Sequence, residues 1–203
     1  MSDNPFQLDW DFAALHGAWP TGPDNAYLLN RLRDIPVDAT AEGARGPVLE
    51  VGASEAIHSC RLSLLGLATV ALEPSFAMLG HARERMAEYG THFELVRGIS
   101  EKLPFPDESF DRVATMSFYG HLEGADRERF LAEARRVAPE LLVVDAALRD
   151  DTEPEEQQER ILNDGSAWTV YKRYFTAAGL TEELGGGETV HDGRWFVVVR
   201  SPR

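Results

Sequence analysis

The sequence predicts an α/β protein, a doubly wound and mostly parallel sheet covered by helices on both faces, with an antiparallel terminal strand. Three observations carry this. Short apolar runs alternate with amphipathic stretches from Val48 to Asp145, the order that yields parallel strands joined by crossover helices. The first run, Val48-Leu49-Glu50-Val51, stops at Gly52, and the next closes on a carboxylate, Glu73. A strand, a tight turn, a helix and an acid-tipped strand form a geometry that holds a nucleoside. Near the carboxyl end, Asp192-Gly193 stands between two extended segments, which marks a hairpin.

The elements follow in order. Asp9 to Trp19 and Asp24 to Arg33 have helical spacing, separated by the Pro20-Thr21-Gly22-Pro23 stop, and Pro36 to Pro47 reads as a linker, so residues 1–46 form an amino-terminal helical cap. The core, residues 47–145, begins with a strand over Val48–Val51, a helix over Glu55–Leu65, a strand over Thr69–Leu72 and a helix over Ser75–Tyr89 opened by Pro74-Ser75. Strands over His92–Val96, Phe110–Met116 and Leu141–Asp145 follow, with a helix over Arg127–Val137 before the last. Residues 146–178 break the pattern and read as an acidic and aromatic helical insertion, its helix running from Ser166 to Ala178 and capped by Gly179. Residues 179–203 hold the hairpin strands, the last over Trp195–Val199.

Composition bounds the function. With 203 residues, 43% of them hydrophobic, the chain suits one domain better than two. It has no run long enough to span a membrane and no basic, apolar leader, so the expectation is a soluble protein of the cytoplasm. A single cysteine, Cys60, excludes an intrachain disulfide and a thiolate zinc site, and no histidines have ligand spacing, so no metal is expected. A net charge of −14 opposes binding to a phosphate backbone, which argues against nucleic acid as a partner. Arg83, Arg85, Arg127, Arg129, Arg135 and Arg136 are interleaved with glutamates at helical spacing and read as ion-paired, solvated faces. No stripe specifies an oligomeric state.

Five features stand in sequence: Glu50-Val51-Gly52, Glu73 about 20 residues later, Gly98 after the third strand, the run Leu103-Pro104-Phe105-Pro106-Asp107-Glu108-Ser109-Phe110-Asp111, and His121 after the fourth strand. Together they resemble the class I S-adenosylmethionine-dependent methyltransferases, in the branch acting on small molecules, over residues 48–145. The resemblance implies a Rossmann-like sheet of seven strands, S-adenosylmethionine as methyl donor, and a small-molecule acceptor. It implies that Glu50 orients the loop and the amino-acid part of the cofactor, that Gly52, Ala53 and Ser54 give close backbone approach, and that Glu73 accepts hydrogen bonds from both ribose hydroxyls. Pro74, Ser75 and Met78 would lie on one side of the adenine with Ile99 and Ser100, which follow Gly98, on the other. Met116 and Ser117 would lie near the transferred methyl group.

Two departures stand out. The family's second and third loop glycines are here Ser54 and Ala56, and Ile99 replaces an acid that often contacts the adenine amino group. A Cβ at the second glycine position predicts crowding or a strained backbone. The competing reading is a methyltransferase-like binding or regulatory module that has lost the cofactor. A nicotinamide oxidoreductase is disfavoured, because Gly52, Ser54 and Ile57 occupy the positions where its loop needs glycines. His121 is the candidate general base, with Tyr119 a weaker alternative, because imidazole titrates near neutrality. The aromatic residues Phe6, Trp10, Phe12, His16 and Trp19 of the cap, and Trp168, Tyr171, Tyr174 and Phe175 of the insertion, are read either as pocket walls or as packing. Cys60 reads as structural.

Overall fold

A computed structural model describes residues 34–161 and 167–202. The predicted helices at Asp9–Trp19 and Asp24–Arg33, and the aromatic residues of that cap, lie outside them. The elements are a helical stretch over 34–41 (α1), then β1 (Val48–Val51), α2 (Ile57–Leu64), β2 (Thr69–Leu72), α3 (Phe76–Tyr89), β3 (Glu94–Val96), β4 (Arg112–Met116), a 3-10 turn (Tyr119–His121), α4 (Gly124–Val137), β5 (Glu140–Ala146), β6 (Glu155–Ile161), β7 (Ala167–Arg173), α5 (Ala177–Glu183), β8 (Glu188–Asp192) and β9 (Phe196–Pro202). Seven strands form one sheet in the order β3-β2-β1-β4-β5-β9-β8. β1 to β5 are parallel, whereas β9 runs antiparallel between β5 and β8. The expected doubly wound sheet with an antiparallel terminal strand is present.

Alternation along the central strands divides the core. Leu49, Val51, Val113, Leu141, Val143, Val197 and Val199 face one side, where they meet Phe130, Ala134 and Val137 of α4 and Ala177 and Leu180 of α5. Val48, Ala114, Leu142, Val144 and Val198 face the other, against Val37 and Ala39 of α1 and Leu62 of α2. Burial on both faces is why β1 is apolar but for Glu50, whose buried carboxylate is hydrogen-bonded.

Two expectations are corrected. The segment expected to be a linker after Pro36 is helical over 34–41, ending before Gly43, whose φ is 73°. Val37 and Ala39 are buried against strands distant in sequence, and Arg112 of β4, only 4% exposed, donates to the carbonyls of Ala39 and Glu42, each at 3.0 Å, and pairs with Glu140. A buried guanidinium thus satisfies the helix's carboxyl end. Arg112→Met is expected to destabilise the fold by about 3 kcal/mol, since it strands buried carbonyls and a carboxylate. Urea denaturation checks this, and an unchanged midpoint would mean that the apolar face alone holds α1.

The second correction concerns the insertion. The expected helix over Ser166–Ala178 is instead the strand β7, paired antiparallel with β6. Thr169, Val170 and Tyr171 favour extended backbone, and the acidic run finds opposite charges across the ladder, with Glu155 facing Arg173 and Glu156 facing Lys172. Gly179 does not end a helix. It lies in the first turn of α5, where its N–H bonds to the Thr176 hydroxyl at 3.0 Å.

Candidate functional site

The loop after β1 is built on left-handed backbone. Gly52, Ser54 and Ala56 have φ of 72°, 51° and 55°, so the strain expected at Ser54 is present, and each non-glycine residue there costs about 1–2 kcal/mol. The loop is held from below by backbone bonds from Gly52 and Ala53 to the Leu72 carbonyl, at 3.0 and 3.1 Å. A Cβ at Gly52 would stand 2.4 Å from the Phe118 ring.

Glu73 ties this loop to the start of α3. Its Oε2 accepts the Ser54 N–H and its Oε1 the Ser75 N–H, both at 2.9 Å, and the residue is 8% exposed. An ionised carboxylate offers about four lone-pair sites, so acceptor capacity remains on each oxygen for a vicinal diol. Burial raises its pKa above the usual carboxylate value, against the lowering effect of the two backbone N–H groups. Ser75 caps α3, Met78 receives the Ser54 hydroxyl on its sulfur at 3.3 Å, and Gly98 donates to the Glu73 carbonyl at 3.4 Å. Glycine at 98 is required by contact, because a Cβ would stand 2.9 Å from Leu72 Cδ1. Gly52, Ala53, Ser54, Glu73, Pro74, Ser75, Met78 and Gly98 therefore form one locus at the carboxyl ends of β1, β2 and β3. Beside it, Arg97 donates to the Pro74 carbonyl at 3.0 Å and lies 3.8 Å over the Phe76 ring. Ile99 is 52% exposed at the rim, while Ser100 is buried.

Glu50 lies beneath the loop. It is 2% exposed, accepts the Ser59 N–H at 3.0 Å and the Ser59 hydroxyl, and lies 3.5 Å from His58 Nδ1. Its two oxygens face α2, so it braces the loop from beneath, which agrees with the expected role of orienting the loop. Cys60 is fully buried, and its thiol pKa is pushed up to about 11 by desolvation, which leaves it inert at neutral pH.

A second locus lies at the ends of β4 and β5. Ser117, exposed with φ of 52°, follows the half-buried Met116, and Phe118 connects them to Gly52. His121 ends the 3-10 turn, and its Nδ1 lies 2.8 Å from the Tyr171 carbonyl on β7. Sequence reasoning missed its neighbours. Asp145, wholly buried, accepts Lys172 Nζ at 2.5 Å, the Ala146 N–H at 2.7 Å and the Gly120 N–H at 2.8 Å. The signal for Asp145 was available, since it closes an apolar run as Glu73 does. Lys172 had none, because the strand that carries it was read as helix. Tyr119, the weaker candidate base, is fully buried and bonds to Glu183 at 2.7 Å; burial raises its pKa, so it stays protonated. Phe175 is core, Tyr174 bonds to Glu156 at 2.7 Å, and Trp168 is 37% exposed.

Among the described residues, no group of histidines, cysteines or carboxylates has the arrangement of a metal site, and no helix is long and apolar enough to cross a membrane. A family model described as a methyltransferase domain matches residues 48–140, the segment that contains both loci up to β5. No curated protein sequence matches the chain. Among solved structures, the complex named DhpI-SAM-HEP is 25% identical with a TM-score of 0.66, over 94% of this chain and 92% of that one. The PH0226 protein from Pyrococcus horikoshii OT3 is 20% identical with a TM-score of 0.68, over 94% and 99%. The glycopeptide N-methyltransferase MtfA, complexed with S-adenosyl-L-methionine, is 23% identical with a TM-score of 0.63, over 83% and 92%. The likeness to the last two is one of fold.

Proposed function

We propose that this chain is a class I S-adenosylmethionine-dependent methyltransferase and that it methylates a small molecule whose accepting atom carries a proton, with the donor held at the Gly52–Glu73 locus and His121 as general base. The observation that carries the donor assignment is Glu73, a buried carboxylate pinned by two backbone N–H groups with acceptor sites to spare. The left-handed loop supports it, since Ser54 and Ala56 hold the positive-φ backbone that glycine ordinarily supplies. When bound, S-adenosylmethionine supplies an electrophilic methyl group on a sulfonium.

The protein's own contribution is placement and proton transfer. Glu73 would hold the ribose hydroxyls, Gly52 to Ser54 the amino-acid part, and Pro74, Ser75, Met78, Ile99 and Ser100 the adenine, with Met116 and Ser117 beside the reacting centre. His121 Nδ1 faces a carbonyl, which only accepts, so its proton sits on Nδ1 and Nε2 carries the lone pair. That nitrogen would take the acceptor's proton. β6 and β7, of which β7 meets His121 through the Tyr171 carbonyl, would form the acceptor-shaping element, and that MtfA is a glycopeptide N-methyltransferase and DhpI is recorded with HEP is compatible with acceptors other than nucleic acid.

Calorimetry with S-adenosylhomocysteine tests the reading and has a defined pH dependence. If the ionised Glu73 binds the ribose, affinity is present above its folded-state pKa and is lost as pH falls through it. Because burial places that pKa above the ordinary 4.5, weakening is expected to begin at a higher pH than a solvent-exposed glutamate would give. Absence of binding heat and of any thermal shift at millimolar ligand would favour the non-catalytic module.

A further inference from the structure

Asp145 and Lys172 form a buried ion pair with side chains 0% and 8% exposed, and its ordinary rationale is weak. An apolar pair of the same volume holds two elements together at least as well, because desolvating both charges offsets their attraction. The pair instead occupies a position from which it acts on a neighbour. One carboxylate clamps two segments, taking the Gly120 N–H of the 3-10 turn on Oδ2 and Lys172 of β7 on Oδ1. His121 follows Gly120 and Tyr171 precedes Lys172, so this double clamp brings the imidazole to the Tyr171 carbonyl at 2.8 Å. The approach is as close as it is because residue 120 is glycine: a Cβ there would stand 2.6 Å from the Arg173 carbonyl oxygen and 3.0 Å from Lys172 Nζ.

We propose that Lys172, anchored on Asp145, is a positioning residue that keeps His121 a neutral imidazole with its proton on Nδ1, so that Nε2 is ready to accept a proton from the methyl acceptor. This rests on the reading of His121 as the base. The charged groups acting on the ring come from three strands: Lys172 of β7 and Arg160 of β6 disfavour a second proton, and Asp145 of β5 favours one. Burial is the largest cause that holds the imidazole below its ordinary range; Lys172 and, more weakly, Arg160 act in the same sense, against the Tyr171 hydrogen bond and Asp145. In the reaction, the acceptor's X–H bond breaks as Nε2 takes the proton. The freed electron pair forms the X–CH3 bond, the carbon–sulfur bond breaks with its pair going to sulfur, and the imidazolium returns its proton to water.

The test needs no acceptor. In full-length protein labelled with 15N and 13C at histidine, NMR titration reads both the tautomer and the midpoint of His121. The wild type is expected to show the Nδ1–H tautomer and a midpoint below 6.5, the ordinary histidine value. Lys172→Met is expected to raise that midpoint by about half a unit or more, and Lys172→Arg to restore it. A wild-type proton on Nε2, or a midpoint at or above the ordinary value, overturns the proposal even if Lys172→Met fails to fold. A folded Lys172→Met protein with an unmoved midpoint also overturns it and leaves the pair as a structural clamp. Binding of S-adenosylhomocysteine by the same samples reports on the donor site alone, so failure there is told apart from failure here.

Discussion

Glu73→Gln is expected to weaken S-adenosylhomocysteine binding about tenfold to hundredfold, nearly as much as Glu73→Ala. The two carboxylate oxygens already accept backbone N–H groups, from Ser54 and from Ser75. A glutamine amide has one acceptor oxygen and one donor group, so whichever way it is turned its NH2 meets one of those donors. The loop after β1 and the start of α3 would therefore be pushed apart while the charge is lost. A hydrogen bond to a charged acceptor contributes about 1.5–3 kcal/mol, and the net loss of one such bond accounts for the expected range. Calorimetry measures the affinity. The pH dependence assigned to Glu73 should vanish in both variants, and if it persisted unchanged another group would be its source.

Gly52→Ala is expected to abolish donor binding and to destabilise the fold by about 2–5 kcal/mol, the sum of left-handed backbone strain and overpacking. The two causes are separable. At φ of 72° any L residue is strained, whatever the space around it, whereas the clash is with one ring, since the new Cβ would stand 2.4 Å from Phe118 Cδ2. Phe118 stacks edge-on against Phe130 at 5.8 Å and cannot withdraw without disturbing the core. In a double-mutant cycle with Phe118→Ala, the steric share is recovered and the strain share remains, with a coupling of about 1–3 kcal/mol. Strict additivity would show that the ring yields freely and that backbone strain is the whole effect.

Ser54 and Ala56 show why a motif read letter by letter misleads. Glycine is the ordinary solution where φ is positive, yet the loop keeps φ of 51° and 55° with side chains present. Surrounding bonds over-determine the geometry: Ser54 N–H is held by Glu73, its hydroxyl by Met78 sulfur, and Ala56 N–H by the Ala53 carbonyl at 2.7 Å. The departure from the family pattern was legible. That left-handed backbone is kept there was not, because two of the compensating groups, Glu73 and Met78, come from beyond the loop, after β2 and in α3.

What the sequence determined by itself is whatever depends on residues close along the chain. β1 over Val48–Val51 and β2 over Thr69–Leu72 were legible to the residue, because a strand buried on both faces is mostly apolar and the exception in β1, Glu50, is satisfied by Ser59. The Ser75 cap, the acid-tipped end of β2 and the antiparallel last pair were legible for the same local reason. What only the tertiary structure decided are the groups whose partners lie far away. α1 is a helix because strands from the other end of the chain cover Val37 and Ala39, and Arg112 of β4 satisfies its carbonyls. The segment carrying Lys172 is a strand because acidic β6 pairs with it, and Lys172 matters only because Asp145 waits at the end of β5. Periodicity records which face of an element is buried, but the identity of the charge it meets there is set by chain crossings that no local window contains.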